Sequence, residues 1–195
     1  MEYRGAFTPH TSAYLWPVVT RLVGPTPVRV VDVGCGTGAF TAHLASLGHD
    51  VVGIDSSPSG IEIAREAHPH LRFVQTSAEA APELAPFDVA TCLEVVEHCF
   101  LPRDFARGVR GLLKPGGRAI FTTPYHGYIK NLLIVAFGRF DAHVGALWDY
   151  GHIKFWSIRT LRTLLVESGF EPPQMIRVGR IPLLAKSLVA VTLRT

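Results

Sequence analysis

Short apolar runs alternate with helical periodicities along most of this chain. Val28-Arg-Val-Val31, Asp50-Val-Val-Gly-Ile54, Leu71-Arg-Phe-Val-Gln75, Phe87-Asp-Val-Ala-Thr-Cys-Leu93 and Ala119-Ile-Phe-Thr122 read as strands. Between the first two, Phe40, Leu44 and Leu47 recur at i, i+4 and i+7, with Gly48 as the stop. Ser57-Pro58 suits the N-cap and first position of a helix reaching Ala67. Phe105, Val109, Leu112 and Leu113 mark another helical face, closed by Lys114-Pro-Gly-Gly117. Ser157 caps a helix carrying Ile158, Leu161, Leu164 and Leu165, which ends at Ser168-Gly169. Two last strands are expected near 175–178 and 188–193. Ahead of everything, 12–22 reads as helical apart from Pro17, and Pro25-Thr-Pro27 ends it. Strands and helices in this alternation predict an α/β, doubly wound, parallel sheet. With no repeat and no linker, 1–195 is expected to be one domain, in which 1–27 caps the N-terminal side.

Composition narrows the class. The chain has 195 residues, 48% of them hydrophobic and 18% charged, which suits a compact core and excludes a disordered chain. A net charge of +3 permits anionic partners without demanding nucleic acid, for which a basic cluster would be needed. Cys35, Cys92 and Cys99 form no Cys-x-x-Cys pair and leave an odd number, so a reducing cytoplasm is expected. The opening Met1-Glu-Tyr-Arg-Gly5 does not read as a signal peptide, and no apolar run approaches the ~20 residues that span a bilayer.

The first chemical signal is Asp32-Val-Gly-Cys-Gly-Thr-Gly38, where a strand breaks into a glycine loop that opens a helix. Glycines at 34, 36 and 38 remove every Cβ where a ligand would touch backbone. Such a loop at a strand end suits a nucleoside-bearing cofactor. Gly34-x-Gly36-x-x-Ala39, with Asp55 about 20 residues on, also satisfies the dinucleotide spacing, so NAD stays open on spacing alone. Asp32 argues the other way: it would repel a pyrophosphate and attract an ammonium.

Asp-x-Gly-x-Gly-x-Gly resembles the first motif of the class I S-adenosylmethionine-dependent methyltransferases, and Val51-Val-Gly-Ile-Asp55 resembles their second. The likeness runs from about residue 28 to the end. It implies a seven-stranded, mostly parallel sheet with an antiparallel last strand beside the fifth. It places Asp32, Gly34, Cys35, Gly36 and Gly38 around the methionine part of S-adenosylmethionine. Asp55 would hold the ribose hydroxyls with Ser56 beside it, Ser77 and Ala78 would lie by the adenine, and Leu93 would face the cofactor.

The second signal is Leu93-Glu94-Val-Val-Glu97-His98, at the carboxyl end of the fourth strand. If the chain turns helical there, Glu94 and His98 fall one turn apart with Glu97 beside them. Two carboxylates and an imidazole suit a divalent ion such as Mg, Mn, Fe or Zn. Glu-x-x-Glu-His resembles two methyltransferase branches: the quinone-biosynthesis O-methyltransferases and the small-RNA 2′-O-methyltransferases. That resemblance implies metal ligation by Glu94, Glu97 and His98. Gly151-His152-Ile-Lys-Phe-Trp-Ser157 resembles the downstream segment of the second branch, so His152 is the expected fourth ligand. Without a metal, the same side chains would cap a helix, orient a hydroxyl or act as base, with Glu97, His98 and His152 as catalytic candidates. His10, His43, His49, His68 and His70 are expected on surfaces or loops.

The third signal is length. From Pro124 to Trp156 the chain is long for a connection, and 124–156 is expected to be a lid or binding insertion. Its apolar stretch 128–140 reads as a helix that rests on lipid, covers a greasy substrate, or packs on the protein's own core or a second subunit. The expected function is O-methylation of a small, partly apolar, catechol- or quinol-like hydroxylated substrate. RNA 2′-O-methylation, a NAD-dependent oxidoreductase and a non-catalytic S-adenosylmethionine-binding module are the alternatives, and C- or N-methylation stays open.

Overall fold

The computed structural model describes residue 3 and residues 5–195; residues 1, 2 and 4, part of the expected N-terminal cap, lie outside the described residues. Helix α1, Ser12–Val23, runs straight through Pro17. The proline removes one backbone donor, but Leu15, Val19 and Val23 are buried on a single face, and that packing carries the helix past it. Strand β1 (Arg29–Val33), helix α2 (Ala39–Ser46), strand β2 (Asp50–Asp55), helix α3 (Pro58–Ala67) and strand β3 (Arg72–Gln75) follow the expected order. On α2 the buried residues are Phe40, Thr41 and Leu44; Leu47 falls beyond the helix end and is 44% exposed, so it does not belong to the apolar face. Ser57 caps α3 as expected, its hydroxyl accepting from the Gly60 amide at 3.3 Å with Pro58 in the first turn.

Strand β4 (Phe87–Leu93) is followed by helix α4 (Pro102–Leu112) and strand β5 (Leu113–Pro124). Leu113 opens the strand instead of ending the helical face, and Lys114-Pro-Gly-Gly117 lies within the strand rather than stopping the helix. The cause is the chain's far end. The Gly116 amide donates to the Arg194 carbonyl and the Arg194 amide to the Gly117 carbonyl, each at 2.8 Å. An irregularity against β4 between Phe87 and Val89 absorbs the extra residues, with Gly116 at φ +74°. Helices α5 (Tyr128–Ala136), α6 (Phe140–Val144) and α7 (Ile158–Glu167) and strands β6 (Gln174–Val178) and β7 (Ser187–Leu193) complete the chain.

The seven strands form one sheet in the order β3-β2-β1-β4-β5-β7-β6. β1 to β5 pair in parallel, while β7 is antiparallel to both β5 and β6. Successive β1 residues feed opposite faces: Val30 packs with α1 and α2, Val31 with α4 and α7. The strand order reverses between β1 and β4. Their carboxyl ends therefore open onto the crevice where doubly wound sheets hold ligands.

Candidate active site

The glycine loop leaves β1 with Gly34, Gly36 and Gly38 at φ +73°, +54° and +82°. Gly34 and Gly36 line the crevice. Gly38 does not: a Cβ there would meet the Phe73 ring at 2.7 Å and Ala64 at 3.1 Å. A glycine there lets α2 sit close against β3 and α3.

Two adjoining cavities share Gly34, Glu94 and His98 among their walls. The smaller, about 400 Å³, is lined by Asp55, Ser56, Ser77 and Ala78. Asp55 closes its floor, accepting from the Gly36 amide at 2.9 Å and the Ser57 amide at 2.7 Å, so one carboxylate ties the glycine loop to the end of β2. The larger, about 700 Å³, takes in Asp32, Cys35, Gly36, Leu93 and His152. Asp32 is buried and receives hydroxyl hydrogen bonds from Thr41 at 2.7 Å and Thr91 at 2.8 Å; burial still pushes its pKa up to about 6.

Beyond β4 the chain departs from the expected helix. Glu94 takes the left-handed region at φ +55°, and only Val96–His98 makes a single 3₁₀ turn. Glu94 is turned toward β5 and β7: Thr122 donates to its Oε1 at 2.8 Å and Ser187 to its Oε2 at 3.5 Å. Burial raises its pKa to about 7. The residues whose ligand atoms gather, all within 4.8 Å of one another, are Glu97, His98 and His152; Glu94 is outside that group.

Glu97 is 1% exposed, and no donor reaches good hydrogen-bond geometry on its carboxylate, although its own amide and the Thr123 hydroxyl lie close enough to ease the charge. Burial, and next the Glu94 carboxylate, push its pKa well up. The Ile153 and Lys154 amides both donate to the Glu97 carbonyl, at 2.9 and 3.0 Å, which draws His152 in from the far side of the insertion. His98 Nδ1 lies 3.0 Å from the Tyr150 carbonyl and 3.2 Å from that of Gly151. Carbonyls only accept, so Nδ1 carries a proton, and Nε2 is the ring nitrogen left to meet a ligand. The His98 and His152 rings stand 5.0 Å apart. Burial first, then His98, lowers the His152 pKa to about 4, so this imidazole is neutral at physiological pH.

Several residues had no signal in the sequence. Tyr3 lines both cavities and its ring covers Gly36 and Gly60; burial raises its phenol to about 12. His10 is exposed in a turn, as expected, and also lines the larger cavity; His49 lies in a loop, as expected, with its side chain buried. Strand spacing could have found Thr91, since parallel pairing sets it opposite Asp32.

A doubly wound sheet with an antiparallel β7, an acid-bearing glycine loop and a second acid closing β2 define a class I S-adenosylmethionine-dependent methyltransferase domain. A family model described as "Methyltransferase domain" matches residues 8–174, and the chain belongs to that family. The dinucleotide reading permitted by the loop spacing falls with this assignment. The ubiquinone biosynthesis O-methyltransferase of Ralstonia nicotianae is 33% identical over 153 residues, 75% of this chain and 64% of that protein. Its mitochondrial namesake in Schizosaccharomyces pombe is 29% identical over 149 residues, 73% of this chain and 54% of that protein. The chain thus spans between half and two thirds of the length of these relatives. Among solved structures, Burkholderia thailandensis 1,6-didemethyltoxoflavin-N1-methyltransferase, bound to 1,6-didemethyltoxoflavin and S-adenosylhomocysteine, shares the fold with a TM-score of 0.68 at 20% identity. The match covers 91% of this chain and 76% of that one.

Proposed function

We propose that this chain transfers the methyl group of S-adenosylmethionine to a hydroxyl oxygen of a small, partly apolar, catechol- or quinol-like acceptor. The observation that carries the proposal is the buried Glu97 carboxylate grouped with the His98 and His152 imidazoles, of which His98 lines both cavities and His152 the larger one. In this reading Asp55 receives the ribose hydroxyls, Ser77 and Ala78 flank the adenine, and Asp32 faces the ammonium of the methionine part. Relatives named as O-methyltransferases support oxygen as the acceptor atom.

Glu97, His98 and His152 fit a divalent cation: one anionic and two neutral donors, with the His98 ring oriented by backbone carbonyls. A carboxylate buried this deeply is costly unless a proton or a cation meets it. An ion held there would supply Lewis acidity, making the acceptor hydroxyl easier to deprotonate. The protein's own task is alignment, because a sulfonium methyl is already electrophilic. His98 and His152 face the acceptor oxygen, and with no ion held there an imidazole lone pair would take its proton. The exposed side chains of α5 and its neighbourhood (Tyr128 81%, Leu132 67%, Phe137 75%) suit a greasy substrate or a membrane surface, although among the described residues no helix is long and apolar enough to cross one.

Glu97→Ala, His98→Ala and His152→Ala test the assignment. Each is expected to keep S-adenosylhomocysteine affinity within about threefold in calorimetry while cutting catechol methylation by about 100-fold, and to lower the metal content of chelator-free protein. Unchanged turnover would remove these residues from the mechanism.

A further inference from the structure

The larger cavity carries a charge pattern that methyl-donor binding does not use. Lys130 on α5, Arg180 in the turn after β6 and Lys186 just before β7 all line it. The ion pairs among the described residues are Arg29–Asp50, Arg103–Glu167, Arg107–Asp104 and Lys114–Asp88, so none of the three cations is matched by a carboxylate. Lys130 Nζ donates to the Tyr125 carbonyl at 2.8 Å, and both burial and Arg180 lower its pKa. The Lys186 ammonium lies 5.0 Å over the Tyr14 ring, in the same wall.

Like charges around one concavity repel, and an anion among them turns that cost into attraction. The acids lining the same cavity do not fill that role. Thr41 and Thr91 hold Asp32, while Thr122 and Ser187 hold Glu94, which favours the Lys130 charge only from a distance. Trp16 and Trp148 add aromatic wall. We propose that Lys130, Arg180 and Lys186 form a subsite for an anionic substituent, a carboxylate or a phosphate, on an aromatic methyl acceptor. An acceptor anchored there presents its hydroxyl to His98 and His152, which line the same cavity. This inference rests on reading that cavity as the acceptor site.

The test uses the full chain loaded with S-adenosylhomocysteine and probes that have no hydroxyl to methylate. Phenylacetate or phenyl phosphate is expected to bind about tenfold more tightly than phenylacetamide, with phenethylamine weakest. The tighter of the two anions identifies the group. In the Arg180→Ala, Lys186→Ala double variant this preference should fall to about twofold, with S-adenosylhomocysteine affinity retained as the check on folding. Equal affinity for anion and amide overturns the proposal, as does a preference that survives the double variant. Loss of binding to phosphatidylglycerol vesicles with the anion preference intact also overturns it, since the cations then serve lipid phosphates. Failure to methylate any hydroxylated acceptor would sink the O-methylation reading, yet leave these probe affinities to be judged separately.

Discussion

Asp32 and Asp55 stand 23 positions apart and meet the same crevice with different chemistry. Asp55 spends lone pairs on the Gly36 and Ser57 amides, which pin the loop before any ligand arrives. Asp32 has only hydroxyl donors in a buried setting, and its pKa rises to about 6. Its protonated form is the one the ligand-free fold favours, so Asp32's contribution to stability is complete below about pH 4 and is lost as pH climbs through about 6. A bound ammonium reverses the preference and favours the carboxylate. S-adenosylhomocysteine affinity should therefore rise between about pH 5 and pH 7 and then level off, whereas in Asp32→Asn it should be weaker by about tenfold and flat. Calorimetry across that range checks both; a flat wild-type profile would place the ammonium elsewhere. Asp32's charge and place beside the glycines are readable from the sequence. Its partner Thr91 comes from a distant segment and is found only once β1 and β4 are paired in register.

Among the elements, the insertion departs most from its periodicity. The apolar stretch 128–140 predicts one helix with the chain's own core among its packing options, but the structure breaks it into α5 and α6 around Gly138 at φ +64°, and neither helix has a buried residue. Helix α5 rests chiefly on the single turn Pro182–Leu184 and on α6, while the sheet's core is closed by other helices, with Phe105, Leu161 and Leu165 buried among it. An apolar helix left outside a completed core must present its side chains outward. Leu132→Ser with Phe137→Ser is accordingly expected to change unfolding free energy by no more than about 0.5 kcal/mol. The same pair of changes should weaken binding to lipid vesicles, measured by co-sedimentation. A large loss of stability would mean that the helix packs against the protein after all. The sequence pattern was silent here because an all-round apolar stretch has the same periodicity whether it faces core, lipid or partner.

Across the whole molecule, one sheet couples the cofactor side to the acceptor side. Phe121 on β5 sits between the Phe105 and Phe170 rings, with centroids 6.3 and 5.9 Å away, and so joins α4 to the segment ahead of β6. Phe121→Ala should cost ~3–5 kcal/mol, lowering the thermal midpoint of the entire chain in one cooperative step. Differential scanning calorimetry checks this, and two separate transitions would contradict a single domain.

Local rules were enough for the strand–glycine–helix unit, the cap at Ser57, the acid closing β2 and the alternation that dictates a doubly wound sheet, since each depends on neighbours a few residues away. Distance in the chain hid the rest. His98 and the carbonyl of Tyr150 are 52 positions apart, joined only because two amides of the insertion bind the Glu97 carbonyl. Glu94 left the expected helical face because its left-handed backbone hands its carboxylate to Thr122 and Ser187, groups on two other strands. Lys130, Arg180 and Lys186 share a cavity for the same reason: folding sets the connection between β6 and β7 beside α5, and no spacing rule along the chain records that proximity.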